Sequence, residues 1–271
     1  MPTNAQFAVG ELVTAADANT LFVRGYRNRI INGAFVINQR GYASAANLAS
    51  GVYGFDRWKS GFTNTALTFT AGSQSTTVTI STSGVLQQIV ERENMPAGTY
   101  VLSWSGTATG RVYNSGATPP SYAASPVTVT LDGLANVVVE FTASGSTKTL
   151  GLVQLEGGTV FSPFEYRLRE EELAFCQRYY QRLGDANLGI WGTGYTPSAS
   201  QYIAVHLPFS VSTRTSSPTV TKVGAWGGSA TNFSGITNRS VTIYFGGSPS
   251  AGYYEFYTLG ATTYVEVSNE L

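Results

Sequence analysis

The stretch Val127-Thr128-Val129-Thr130-Leu131-Asp132-Gly133-Leu134-Ala135-Asn136-Val137-Val138-Val139-Glu140-Phe141 decides the fold. Residues 127–131 alternate apolar and hydroxyl side chains with the two-residue period of a strand that lays one face on a core. Their β-branched side chains suit a pleated, half-buried surface. Asp132-Gly133 is a turn signal, because Asp bonds to its own backbone two residues on and Gly accepts positive φ. Residues 137–141 resume as a second, Val-rich strand, with Glu140 placed on its outward face. Two such strands joined by a short polar link imply antiparallel β-structure.

Outward from this stretch the pattern repeats. Strands are predicted at 31–38, 67–70, 76–80, Val85–Val90, 100–104 and 150–155, separated by turn signals such as Pro96-Ala97-Gly98 and Gly157-Gly158. About eight strands in about 135 residues, with no crossover helices, predict an antiparallel sandwich, with a jelly roll as its topology. Trp58 and Trp104 are expected in its core.

Two helices interrupt the strands. Thr14 can cap a helix from Ala15 to Arg24, with Asp17 in the capping-box position and Gly25 as its stop. Its apolar residues Ala18, Leu21 and Phe22 share one face, and a helix this short needs a partner to be stable. A second helix is predicted over 168–183. Glu170, Glu171 and Glu172 crowd its first turn, Arg178 and Arg182 its last, and Gly184 follows. Leu173, Cys176 and Tyr180 form its apolar face. Strands return at 202–209, 219–223, 241–245, 253–259 and 263–267. The chain is thus expected to be mainly β: an N-terminal segment 1–30 with a short helix, a jelly-roll β-sandwich over 31–167, a linking helix over 168–184 and a smaller C-terminal β-domain over 185–271.

Composition narrows the function. With 30 Gly, 12% charged and 13% aromatic residues among 271, the chain has the balance of short strands and tight turns. Its 16 basic and 16 acidic residues cancel, so no general field draws it to nucleic acid. Cys176, the single cysteine, excludes an intrachain disulfide and a multi-cysteine metal site. No apolar run reaches the roughly 20 residues that span a bilayer, and no basic stretch followed by an apolar core opens the chain as a Sec-type signal would.

Nothing in the sequence assembles a catalytic group. His206, the sole histidine, lies in an apolar strand without the neighbours of a triad. Asp56, Glu91, Glu93, Asp132 and Glu140 are spread over different strands and turns, with no pair set as in glycosidases. Lys148 and the scattered arginines form no phosphate loop. No enzyme activity, cofactor or metal is expected.

Five blocks carry a resemblance. Asn28-Arg29-Ile30-Ile31-Asn32-Gly33-Ala34-Phe35, then Gln39-Arg40-Gly41 with Phe55-Asp56-Arg57-Trp58, then Val153-Gln154-Leu155-Glu156-Gly157-Gly158, Pro163-Phe164-Glu165-Tyr166-Arg167, and Glu171-Glu172-Leu173-Ala174 with Cys176-Gln177-Arg178-Tyr179-Tyr180, resemble in order the blocks of bacteriophage tail-fibre and minor tail proteins carrying a jelly roll similar to carbohydrate-binding modules. Val13-Thr14-Ala15-Ala16-Asp17 is similar to the attachment helix that precedes many fibre domains. Related jelly rolls often place a calcium-binding carboxylate beside the aromatic of the Asn-Gly-x-Phe block, whereas Ala34 and Val36 flank Phe35 here.

The resemblance implies a virion protein that leaves its host by lysis without a signal peptide, forms a homotrimeric fibre and takes part in host attachment. Residues 1–30 would join another tail or baseplate protein, and Ala18, Leu21, Phe22, Leu173, Cys176 and Tyr180 would serve attachment or oligomerisation. The alternatives are a structural virion component (collar, baseplate or capsid fibre) that touches no receptor, and a glycan-degrading tailspike. For recognition, the residues themselves point to the C-terminal domain, where Tyr195, Tyr202, Trp226, Tyr253, Tyr254 and Tyr257 lie among glycines and serines. Exposed rings of this kind stack on the C–H faces of sugars, so a host-surface glycan is the expected ligand. Trp226, bracketed by Gly224, Gly227 and Gly228, is expected in a loop. Adjacent Tyr253 and Tyr254 must point to opposite faces of a strand, which puts one of them in the core.

Overall fold

The computed structural model describes residues 26–184, 189–197, 201–228, 231–246 and 251–271. The expected helix at 15–24, with Ala18, Leu21 and Phe22, lies outside the described residues. The chain divides into two units, Met1–Leu168 and Arg169–Leu271.

The first unit is an antiparallel β-sandwich. Its strands are β1 (Asn47–Leu48), β2 (Lys59–Ser60), β3 (Thr65–Phe69), β4 (Val78–Ile80), β5 (Val85–Val90), β6 (Gly98–Gly106), β7 (Thr109–Asn114), β8 (Val127–Leu131), β9 (Val137–Thr142) and β10 (Lys148–Gly157). One sheet has the order β1-β3-β4-β10-β6-β8 and the other β2-β5-β9-β7. From β4 onward the chain passes from sheet to sheet with each strand, as in a jelly roll. Alternation explains the packing: Leu67, Val78, Ile80, Leu102, Trp104 and Leu150 from one sheet meet Leu86, Val112, Val137, Val139 and Phe141 from the other in one core. Trp58 and Trp104 both lie in it.

The signature blocks turn out to be the clasp of this sandwich. Asn32, fully buried at φ 57°, accepts hydrogen bonds from the Val36 and Ile37 amides at 2.9 and 3.0 Å and donates to Ile37 O and Asp56 O. That side chain takes the bonds a ladder would make, so 31–38 is a turn and irregular chain rather than the expected strand. Gly33 is required, because a Cβ there would lie 2.2 Å from Val153 O. Phe35 is stacked on Trp58 with ring centroids 4.9 Å apart, and the Trp58 indole N–H donates to Asn32 O. Asp56 receives the Gln39 amide at 2.6 Å and faces Arg40 at 3.7 Å, which joins two further blocks.

Two further blocks, 153–158 and 163–167, tie the two ends of the unit together. Glu165 accepts from the Arg27 and Asn28 amides, Arg167 donates to Ile30 O and Asn28 O, and Asn28 bonds Val153 O and the Leu155 amide. Gln154 and Glu156 hold Ser162 beside them. Each of these residues satisfies a buried backbone or charged group that would otherwise be destabilising.

Glu140 corrects the sequence expectation. It faces away from the core yet is fully buried, because the chain between β7 and β8 folds over it. Arg111 reaches it at 2.5 Å, Gln87 at 3.0 Å, and the Tyr122 hydroxyl donates to it. Burial, reinforced by the Glu140 carboxylate, pushes the Tyr122 phenol up from its ordinary value.

The second unit comprises α1 (Arg169–Gln177), β11 (Tyr180–Leu183), β12 (Trp191–Thr196), β13 (Tyr202–Pro208), β14 (Thr219–Gly228), β15 (Thr231–Ser234), β16 (Ser240–Gly246) and β17 (Gly252–Ser268). The expected helix over 168–183 is shorter than its charge pattern implied. It keeps the acidic first turn but ends at Gln177, so Arg178 and Arg182 lie beyond it. Tyr180 is on β11, whose residues 180–183 pair with 268–265 of β17. Pairing with a neighbouring strand outweighs local helix preference for Tyr-Gln-Arg-Leu. Cys176 is buried and Leu173 half-buried on α1, while the buried Tyr180 belongs to the sheet.

β17 is the axis of this unit. Its first part pairs with β12, its last part with β11, and most of its length with β14, while β13, β16 and β15 form a separate three-stranded sheet. The separate strands expected at 253–259 and 263–267 are two halves of β17. An irregularity at 260–263 divides them, where Thr263 bonds Ala225 and Leu259 across the break. Ile190, Phe256, Val265 and Val267 meet Ile203, Val205, Phe233 and Ile243 in one core.

Candidate functional site

Periodicity along β12 and β17 builds the site. In β12, Trp191, Thr193 and Tyr195 point outward while Gly192 and Gly194 point inward. The inward glycines are set by close approach: a Cβ on Gly192 would lie 2.4 Å from the Phe256 ring, and one on Gly194 3.3 Å from Ile203. Because the inward positions carry no side chain, Trp-Gly-Thr-Gly-Tyr reads as loop in sequence and folds as strand. On β17, Tyr253, Glu255 and Tyr257 share the outward face, and Phe256 fills the core between them.

The antiparallel register places these residues opposite each other as Trp191 with Tyr257, Thr193 with Glu255, and Tyr195 with Tyr253. The Tyr195 and Tyr253 rings are 5.1 Å apart at 56°. Exposure is 56% for Trp191, 54% for Tyr195 and 84% for Tyr253, values that no core role explains. The Tyr257 ring extends over Gly227 of β14, where a Cβ would lie 2.3 Å from its edge. Glycine there clears the space in which the ring lies against the sheet. The result is an outward strip with aromatic pairs at both ends and a threonine and a carboxylate between them. The Thr193 hydroxyl donates to Tyr254 O.

The sequence candidates separate on this frame. Tyr195 and Tyr253 come together on the strip. Tyr254 faces the opposite side and packs on the core. Tyr202, 66% exposed, is on the outward face of the other sheet, where its ring meets Tyr244 at 5.4 Å. Trp226 is a correction: it is in β14 opposite Thr258, half-buried against the core, rather than in a loop. Its indole N–H is buried without a hydrogen-bond partner. The three flanking glycines belong to the strand. Gly224 lies at the β14 irregularity with φ 81°, Gly227 admits the Tyr257 ring, and Gly228 at φ 78° sits close to Glu255 O. Sequence reasoning missed Trp191, although its four-residue spacing from Tyr195 puts both on one strand face.

Other places carry less. His206 is exposed, with Nδ1 3.2 Å from the Thr242 hydroxyl. Among the described residues no three His, Cys, Asp or Glu side chains are placed to hold a metal. On the first unit an open groove of about 560 Å³ is lined by Ser44, Thr68, Phe69, Thr70, Thr77 and Thr79, with a single aromatic ring. No helix among the described residues is long and apolar enough to cross a membrane.

No protein-family model matches the chain, and no curated protein matches it. Among solved structures, the chain shows a faint likeness to a Paenibacillus sp. cycloisomaltooligosaccharide glucanotransferase complexed with cycloisomaltoheptaose, at 10% identity and a TM-score of 0.25. The match covers 85% of this chain and 46% of that one, so the chain spans less than half the length of that enzyme. A similarity of this depth carries no argument about fold or function.

Proposed function

We propose that this protein is a bacteriophage tail-fibre adhesin, homotrimeric and joined to the tail through its N-terminal segment, that attaches the virion to the host cell surface. The observation that supports this reading most is the outward aromatic strip of β12 and β17. Large exposed rings in register on a strand face are a recognition surface rather than a packing one. The five in-order blocks add a resemblance to tail-fibre proteins, although the side chains of the first four serve the clasp of the sandwich. Cleavage chemistry has less support, since Glu140 is enclosed by its partners and His206 has only a hydroxyl partner among the described residues.

The test is competition. Purified full-length chain, added to host cells before the phage, is expected to lower adsorption several-fold. Unchanged adsorption, with the chain present in virions, would instead favour a structural component, and new reducing ends released from host polysaccharide would favour a tailspike enzyme. Mass photometry at micromolar concentration is expected to show a trimer; a monomer alone would contradict that part.

A further inference from the structure

We infer that the outward face of β12 and β17 takes an uncharged glycan chain laid along the strands, and that Glu255 makes the face select against acidic glycans. This rests on the adhesin reading and names the ligand class of the same strip.

Length comes first. The Trp191–Tyr257 and Tyr195–Tyr253 pairs are four residues apart on the ladder, roughly 14 Å at strand rise. That length fits an oligosaccharide segment rather than a single sugar. An indole at one end and two contacting phenols at the other offer flat apolar surfaces to the C–H faces of successive rings. Thr193 and Glu255, opposite each other between the pairs, face the middle of that segment.

Charge decides the class. Glu255 is exposed and has no ion-pair partner among the described residues. A carboxylate accepts hydrogen bonds and donates none, so sugar hydroxyls complement it. A uronate or phosphate would meet like charge in the middle of the strip. A second copy of the chain packed face to face would bury Glu255 unpaired, which strongly disfavours self-association through this surface.

Host-surface polysaccharide, separated by anion exchange into neutral and acidic fractions, is the probe. The full-length chain is expected to bind the neutral fraction, with about a ten-fold loss in Tyr253→Ala and Trp191→Ala and unchanged thermal unfolding. Glu255→Lys is expected to weaken the neutral fraction several-fold and to gain binding to the acidic one. Preference of the unaltered chain for the acidic fraction, binding of neither fraction, or equal binding by Tyr253→Ala would each overturn the proposal. So would binding to anionic lipid vesicles that depends on the same rings, or conversion of an oligomer to monomers by Trp191→Ala. Adsorption blocked equally by the unaltered and Tyr253→Ala chains would sink this inference and leave the adhesin reading standing. Ring-dependent binding of neutral glycan without any block of adsorption would do the reverse.

Discussion

The two units differ in where they expose their aromatic residues. In the first, Phe35, Phe55, Trp58, Trp104 and Phe141 form a chain of stacked and edge-on contacts inside the sandwich. Its exposed rings, Phe62, Phe161 and Tyr166, are on irregular chain. In the second, Tyr179, Tyr180 and Phe256 are buried, and Trp191, Tyr195, Tyr202 and Tyr253 are exposed on strands. Rings that stack inward stabilise a fold; rings held outward by strand register leave that energy for a ligand. On the proposed adhesin reading, the first unit is a clasped scaffold and the second carries the adhesive face.

Trp58→Ala gives the largest expected effect. Removing the indole should destabilise the first unit by about 3–5 kcal/mol, read as lost amide-exchange protection there. Undisturbed protection at β5 and β9 would break the contrast. Asn28→Ala comes next. It leaves Val153 O and the Ile30 and Leu155 amides without their partner, for about 2–3 kcal/mol on the same readout. Trp226→Ala should destabilise the second unit by about 1–3 kcal/mol while host-cell binding per folded molecule stays unchanged, since Trp226 faces inward. A loss of binding without a loss of stability would return Trp226 to the recognition surface.

The smallest effect is a pH dependence in the first unit. The Tyr122 phenol ionises above its ordinary 10.0 because burial and Glu140 favour the neutral form. Its folded value exceeds the unfolded one, so its contribution is complete below 10.0 and is lost as pH rises through the folded value. Tyr122→Phe is expected to remove about 1 kcal/mol at neutral pH and to flatten the alkaline decline in denaturation midpoint. An equally steep decline in the variant would show that other groups govern it.

Much of the fold was legible because burial and strand period coincide. Val85–Val90 and Val127–Leu131 lie where alternation put them, and Tyr253 and Tyr254 divide between surface and core as a strand requires. What was illegible follows from glycine and from side chains that imitate backbone. Gly192 and Gly194 made β12 look like a loop and hid Trp191, and Gly224, Gly227 and Gly228 did the same for the strand carrying Trp226. Asn32 replaced a ladder with its own amide, so a hydrophobic run at 31–38 formed no strand. The charge pattern of 168–183 spoke only for local helix preference, and pairing with β17 claimed Tyr180–Leu183. The burial of Glu140 depends on Tyr122, which reaches it from a distant stretch of chain that no local pattern reveals.

On the adhesin reading, the strip on β12 and β17 is the surface that holds the host. Its most direct test is binding of the full-length chain to host cells, compared with a Trp191→Ala/Tyr253→Ala double variant, with Tm measured for both. At least a ten-fold loss of cell binding is expected, larger if several copies engage together, at an unchanged Tm. Equal cell binding by the double variant at the same Tm would contradict it and place recognition elsewhere on the protein.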